Sequence, residues 1–180
     1  PEIYWRLGVA AVDEEADDLL QQGMALMQQI DWDAAVADGV ATVRHVKGMM
    51  EVTGDVGALG FCFGGGLAFN VAAVERGGAS VRDYGSALPQ LHTLAPEVGA
   101  PSLHHFGDAD AYIPLATVRE IEASVTAQPE VSFEIHPGAG HAFDNPAPMF
   151  HHAEASANAW ASTVRFLSAR LRDREQYATE

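Results

Sequence analysis

Three residues carry the chemistry open to this sequence: Cys62, Asp110 and His141. Cys62 is the only cysteine, set in Gly60-Phe61-Cys62-Phe63-Gly64-Gly65 between an apolar run and an Ala-rich apolar segment. A buried strand passing at once into a helix fits that pattern, and Gly-x-nucleophile-x-Gly is the spacing of a nucleophile elbow. Such a turn holds its central residue in strained backbone geometry and needs small neighbours, which Gly60, Gly64 and Gly65 supply. The helix start aims free N–H groups at a thiolate and at any oxyanion formed beside it; Phe63 N–H is the candidate donor. A thiol of ordinary pKa, about 8.5, is only a few per cent ionised at neutral pH, so it needs a base. His141, in Gly138-Ala139-Gly140-His141, is the candidate, and its ring needs an orienting carboxylate on the other nitrogen. Asp108 and Asp110 compete for that role. Asp110, four residues before Pro114, is the assignment, which leaves Asp108 to shape the turn after Gly107.

The elements that must position these residues alternate. After the elbow strand, strands are expected at 79–84, 101–106 and 131–136. In the last of these, Val131, Phe133 and Ile135 take one face and Ser132, Glu134 and His136 the other, as in a half-exposed edge strand. Asp13 is a candidate cap for a first helix, with Glu14, Glu15, Asp17 and Asp18 in its opening turn and Leu19, Leu20, Met24, Met27 and Ile30 as its stripe. Asp31 and Asp33 open a second helix, with Trp32, Val36, Val40 and Val43 on one side and an end near Gly48. Pro114 opens a third, carrying Val118, Ile121 and Val125. Ala153, Ala157, Trp160, Val164, Leu167 and Leu171 step by four and three, which predicts a C-terminal helix packed through that stripe. Arg170, Arg172 and Arg174 suit its negative end. This is an α/β pattern with a parallel sheet flanked by helices. Functional residues of such sheets gather beyond the strands' carboxyl ends, and Cys62, Asp110 and His141 each follow a strand, in the chain order of an α/β-hydrolase triad.

Composition bounds the partners. In 180 residues, 10 basic against 25 acidic side chains give −15, and Lys47 is the only lysine. A nucleic acid or an anionic membrane would be repelled. No apolar stretch approaches the ~18 residues of a membrane span. A lone cysteine excludes an intrachain disulfide and a CxxC pair, and nothing resembles a signal peptide, so cytoplasm is the expected compartment. Metal chemistry has candidates in His104-His105, His151-His152 and Asp108-x-Asp110. Adjacent histidines point apart on strands and helices, however, and HExxH is absent. No metal or cofactor is expected in the reaction.

These motifs, with Gly107-x-x-Asp110-x-x-x-Pro114 and Gly138-Ala139-Gly140-His141-Ala142-Phe143, resemble the dienelactone hydrolase (carboxymethylenebutenolidase) family of the α/β-hydrolase fold. The resemblance runs from Pro1 to about Leu171 and implies one hydrolase domain over residues 1–180. It also implies a small ester or lactone substrate, with no cofactor. The segment from Pro1 to Arg6 is similar to the family's Pro-Asp-Leu-Tyr-x-Arg, whose arginine holds a substrate carboxylate; Arg6 inherits that role. Tyr84 falls at the family's pocket-lining Tyr-Gly. Family members carry residues ahead of this segment, supplying the first strands, a second oxyanion-hole N–H and a glutamate beside the cysteine. The resemblance therefore implies the C-terminal part of a longer domain, with an exposed apolar edge on the elbow strand. Asn145 stands where dienelactone-cleaving members place a second carboxylate-binding arginine, which weakens the case for a diacid-derived lactone. Oligomeric state is not legible here, and a non-catalytic ligand- or partner-binding descendant is the competing reading.

Overall fold

Parallel neighbours in a sheet need crossovers rather than tight turns, and each connection here supplies one. The computed structural model describes residues 2–9, 18–52, 54–75 and 78–171. Its strands are β1 (Ala58–Phe61), β2 (Ser80–Asp83), β3 (Ser102–Gly107) and β4 (Val131–His136), all parallel and in the order β1-β2-β3-β4. The helices are α1 (Leu19–Met27), α2 (Trp32–Lys47), α3 (Phe63–Val74), α4 (Leu88–Leu91), α5 (Leu115–Val125) and α6 (Ala153–Arg170). Among the described residues, no helix is long and apolar enough to cross a membrane.

One face of the sheet carries the main apolar cluster. Phe69 of α3, Leu88, Phe106 of β3 and Val118, Ile121 and Val125 of α5 are buried together, with Val131, Phe133 and Ile135 of β4 packed against them. Each such side chain withdrawn from water contributes about 1.5–3 kcal/mol. α2 lies outside α3: Val36 and Val40 meet Leu67 and Val71, and the Trp32 ring meets Phe63 edge-on at 5.3 Å. Asp31 caps α2 by accepting the Ala34 N–H at 3.0 Å.

Several expectations need correction. Most of the stripe predicted to seat α6 is turned outward: Trp160 is 58% and Val164 46% exposed, and Ala153 and Ala157 are exposed too, while Leu167 and Leu171 are half-buried. The helix packs instead through Ala155, Ala159, Ser162 and Thr163. Small residues there let α6 approach a polar sheet face, where Thr163 Oγ1 lies 3.2 Å from His105 Nε2. His136, expected on the open side of β4, is buried against His105 and Phe143. The crossover from β2 to β3 is helical, through α4 and a 3-10 segment, His92–Glu97, where the sequence reading placed no element. α1 has no buried residue; Leu19, Leu20 and Met24 of its stripe are exposed, and Ile30, just past its end, packs against the cluster between α2 and α3. Asp13 to Asp17, Arg172 and Arg174 lie outside the described residues. β1 is the other edge of the described sheet, with Leu59 and Phe61 each 40% exposed.

The elbow's glycines divide by contact. A Cβ on Gly60 would stand 2.0 Å from the Gly64 carbonyl oxygen, and one on Gly65 would stand 2.9 Å from Gly85 Cα, whereas Gly64 has open space. Gly60→Ala should lower unfolding stability by about 1–3 kcal/mol. Gly64→Ala should leave it unchanged or raise it by up to about 1 kcal/mol, as Ala for Gly in a helix does. Urea midpoints of the two variants check both. Equal losses would show that the crowding argument is wrong.

Candidate active site

Cys62 occupies the junction of β1 and α3 at φ 50° and ψ −115°, a backbone state rare for a residue with a side chain. Its carbonyl accepts N–H bonds from Gly65, Gly66 and Ser86, and its own N–H donates to Asp83 O. The thiol is thereby aimed past the strand ends. There His141 Nε2 lies 3.2 Å from Cys62 Sγ, and His141 Nδ1 lies 2.8 Å from Asp110 Oδ2. The second Asp110 oxygen accepts the N–H groups of Tyr112 and Ile113, at 2.7 and 3.0 Å, which fixes the carboxylate's rotation. Asp108 is used elsewhere: its Oδ1 accepts Gly138 N–H at 2.7 Å and ties the loop after β3 to the loop carrying His141.

The electrostatics follow from this line. Burial pushes the Cys62 thiol up, but bonds from His141, the Ser86 hydroxyl and the Phe63 N–H, with the charge of His141, bring it below its ordinary value. Burial pulls the His141 imidazole down, yet Asp110 and Cys62 on its two nitrogens carry it up to about 9. Burial raises Asp110, and His141 with the Ile113 and Tyr112 N–H groups hold it below the usual carboxylate range. The arrangement favours a thiolate facing an imidazolium.

Two tyrosines flank the imidazole, with ring centroids 5.0 Å away for Tyr84 and 5.1 Å for Tyr112. Tyr84 is buried, its hydroxyl donating to Asp144, and Phe143, Ala155 and Ala159 pack beneath it. A cavity of about 350 Å³ opens beside His141, lined by Tyr112, Gly140, Met149, Phe150 and His151 among others, with no arginine or lysine among the described residues. That is within the range of small-molecule pockets.

The remaining candidates scatter. Arg6 makes a bidentate pair with Asp38, at 2.8 and 2.7 Å, and its guanidinium lies over the Trp5 ring. Tyr4, two residues earlier, senses the thiol: burial and then the Cys62 charge raise its hydroxyl's pKa. Asn145 caps its own turn by accepting Ala147 N–H at 2.9 Å. The candidate metal pairs do not converge. His104 stands 3.2 Å from Arg82 on one face of β3, while His105 meets His136 on the other at 3.0 Å. His152 caps α6 through Ala155 N–H, with His151 exposed. Sequence reasoning missed Ser86, Tyr4 and Tyr112; the Tyr84-Gly85-Ser86 strand end was the available signal for Ser86.

A model of the dienelactone hydrolase family matches residues 1–171. A carboxymethylenebutenolidase from Pseudomonas putida is 31% identical over 169 residues, covering 93% of this chain and 72% of that protein. Carboxymethylenebutenolidase 1 of Cupriavidus pinatubonensis is 30% identical over 175 residues, covering 96% and 74%. In structure, the chain is similar to a Klebsiella pneumoniae protein assigned as a dienelactone hydrolase, with TM-score 0.76 at 22% identity over 93% of this chain and 73% of that one. It is also similar to a dienelactone hydrolase-like promiscuous phosphotriesterase from metagenomic libraries, with TM-score 0.69 at 21% identity over 87% and 69%. The parallel sheet flanked by helices is thus an α/β-hydrolase fold, and the chain belongs to the dienelactone hydrolase family.

Proposed function

We propose that this hydrolase cleaves a carboxylic ester or lactone with Cys62 as nucleophile, His141 as general acid and base, and Asp110 as the residue that orients His141. The observation that carries the reading is the continuous line from Asp110 through His141 to Cys62, at 2.8 and 3.2 Å, with the thiol drawn below its ordinary pKa.

The thiolate adds to the substrate carbonyl and forms a C–S bond. The carbonyl electron pair becomes an oxyanion, to which the Phe63 N–H turns from the sulfur it now holds. Collapse breaks the C–O bond, and the leaving alkoxide takes its proton from the His141 imidazolium. Water then attacks the thioester, His141 accepting its proton, and the acid is released with Cys62 as thiolate. The cavity adjoins the imidazole through His141, Tyr112 and Gly140, while Cys62 lies outside its lining. Arg6 remains the proposed anchor for a substrate carboxylate, which would have to displace Asp38 from the guanidinium. Tyr84 is proposed to border the substrate while backing the imidazole.

Cys62→Ala should abolish hydrolysis of aryl esters and small lactones, and His141→Ala should lower kcat/KM by about 10²–10⁴-fold. Asp108→Asn should cost far less, because that carboxylate serves Gly138 rather than the imidazole. Full turnover by Cys62→Ala would sink the reading.

The pH dependence has a defined sign. With the thiol pKa lowered and the imidazole raised to about 9, the ion pair exists above the first value and below the second. Alkylation of Cys62 by iodoacetamide should therefore rise with a midpoint below that of an ordinary thiol. In His141→Ala the bonds opposing burial are weakened, so the midpoint should move upward. A wild-type midpoint at or above that of the variant contradicts the proposed pair.

A further inference from the structure

The α6 face of the sheet holds polar side chains that the ester chemistry does not use. In the register, His105 of β3 sits opposite Glu134 of β4, with His136 two residues further along β4 on the same face. His105 Nδ1 lies 3.0 Å from His136 Nε2 and 3.5 Å from Glu134 Oε2, and the three atoms all fall within 4.8 Å of one another. Both histidines are buried, while the Glu134 side chain is 36% exposed, leaving a path from solvent at the sheet edge.

We propose that His105 Nδ1, His136 Nε2 and Glu134 Oε2 bind one divalent metal ion of the zinc class, with solvent as the fourth ligand.

Bonds of 2.0–2.2 Å to a tetrahedral ion set its donor atoms about 3.3–3.5 Å apart, so two of the three separations need only small side-chain rotations. Two imidazoles and a carboxylate form a donor set that suits zinc better than calcium or magnesium. The surroundings are those of an oriented ligand. His105 Nε2 lies 3.2 Å from Thr163 Oγ1, so the nitrogen opposite the metal has its own partner and the ring orientation is fixed. Beyond it, Asp83 Oδ1 is buried without a hydrogen-bond partner, 4.0 Å from the same nitrogen. A cation on Nδ1 would bring positive charge near that orphaned oxygen, and the attraction would offset part of the cost of its burial. The 3.0 Å contact between His105 Nδ1 and His136 Nε2 holds one imidazole proton between the two donor atoms, and an ion bound there takes that proton's place. The ion would join β3, β4 and, through Thr163, α6. It would anchor the strand whose following loop carries His141, without touching Cys62, His141 or Asp110.

The thiol and imidazole of the ester site could themselves capture zinc, so the test separates the two places. The whole chain is stripped with a chelator and titrated with zinc alone by calorimetry, in wild type, in Cys62→Ala, and in Glu134→Gln, His136→Gln and Thr163→Val each made in the Cys62→Ala background. Cys62→Ala should keep one equivalent and gain thermal stability on adding zinc. Glu134→Gln and His136→Gln should bind about 100-fold or more weakly, and Thr163→Val about 10-fold more weakly. Far-UV circular dichroism of each stripped variant verifies folding, and the part-exposed Glu134 makes Glu134→Gln the safeguard should His136→Gln fail. Cobalt bound by Cys62→Ala should show visible d–d bands that Glu134→Gln lacks. Loss of zinc in Cys62→Ala, equal binding by folded Glu134→Gln, or no zinc bound at micromolar concentration would each overturn the proposal.

Discussion

A residue with a side chain held at φ 50° costs on the order of 1–3 kcal/mol and persists only where its surroundings over-determine it. Cys62 is held in that way. Three N–H groups converge on its carbonyl, two from the first turn of α3 and one from Ser86 beyond β2, and its own N–H is spent on β2. The close approach of Gly60 to the Gly64 carbonyl, and of Gly65 to Gly85, makes this closure sterically possible. Three of the four non-glycine residues at positive φ among those described, Cys62, Tyr84 and Ala142, cluster at the site. Cys62 and Tyr84 stand directly after the loop ends of β1 and β2, and Ala142 follows His141 in the loop after β4, so strain is concentrated where side chains must be aimed.

That aim depends on a sheet whose buried strands are unusually polar. On β2 and β3 alternate residues send Arg82 and His104 to one face and His105, with Asp83 near it, to the other. A buried charge is tolerated when it is bonded on several sides. Arg82 donates to Ser80 Oγ, lies 3.2 Å from His104 Nε2 and stacks over Phe69, while burial lowers it to about 9. The opposite face explains α6. A helix presenting Trp160 and Val164 inward would leave His105 without Thr163 and bring bulk onto Tyr84. A helix presenting alanine, serine and threonine approaches closely and braces Tyr84 and Phe143 under the imidazole.

What the sequence displayed plainly was whatever one residue type settles locally. The elbow could be read from glycines around a cysteine, α2 from Asp31 and its valines, and the β4 core face from strict alternation. Spacing to Pro114 favoured Asp110 over Asp108 for the acid role, and in the fold Asp110 lies against His141 while Asp108 accepts the Gly138 N–H. What stayed hidden depended on contacts between distant segments. Periodicity located an apolar stripe on α6 but could not show which face meets the sheet, because the deciding partners are polar. The α4 crossover was obscured by Pro89 and Pro96, and Gly64 looked as constrained as Gly60 because sequence does not show the distance to a neighbour. Arg6 was assigned by similarity of its segment, and its pairing with Asp38 of α2 joins residues 32 apart.

In the proposed reaction the same geometry must serve two opposite tasks, and the charges on His141 explain how it can. Before attack the imidazole lies between two anions, Asp110 and the thiolate, and both hold its proton on, against a burial effect pulling the other way. Acylation converts the thiolate to a neutral thioester, so one of those anions disappears while Asp110 and burial remain. The pKa of the imidazole must then fall toward the range where it accepts a proton from water. Asp110, fixed by two backbone N–H groups and His141, keeps the ring in place through both steps. The thiol is thus both the nucleophile and the switch that turns its partner from proton donor to proton acceptor, and no residue need move for the change.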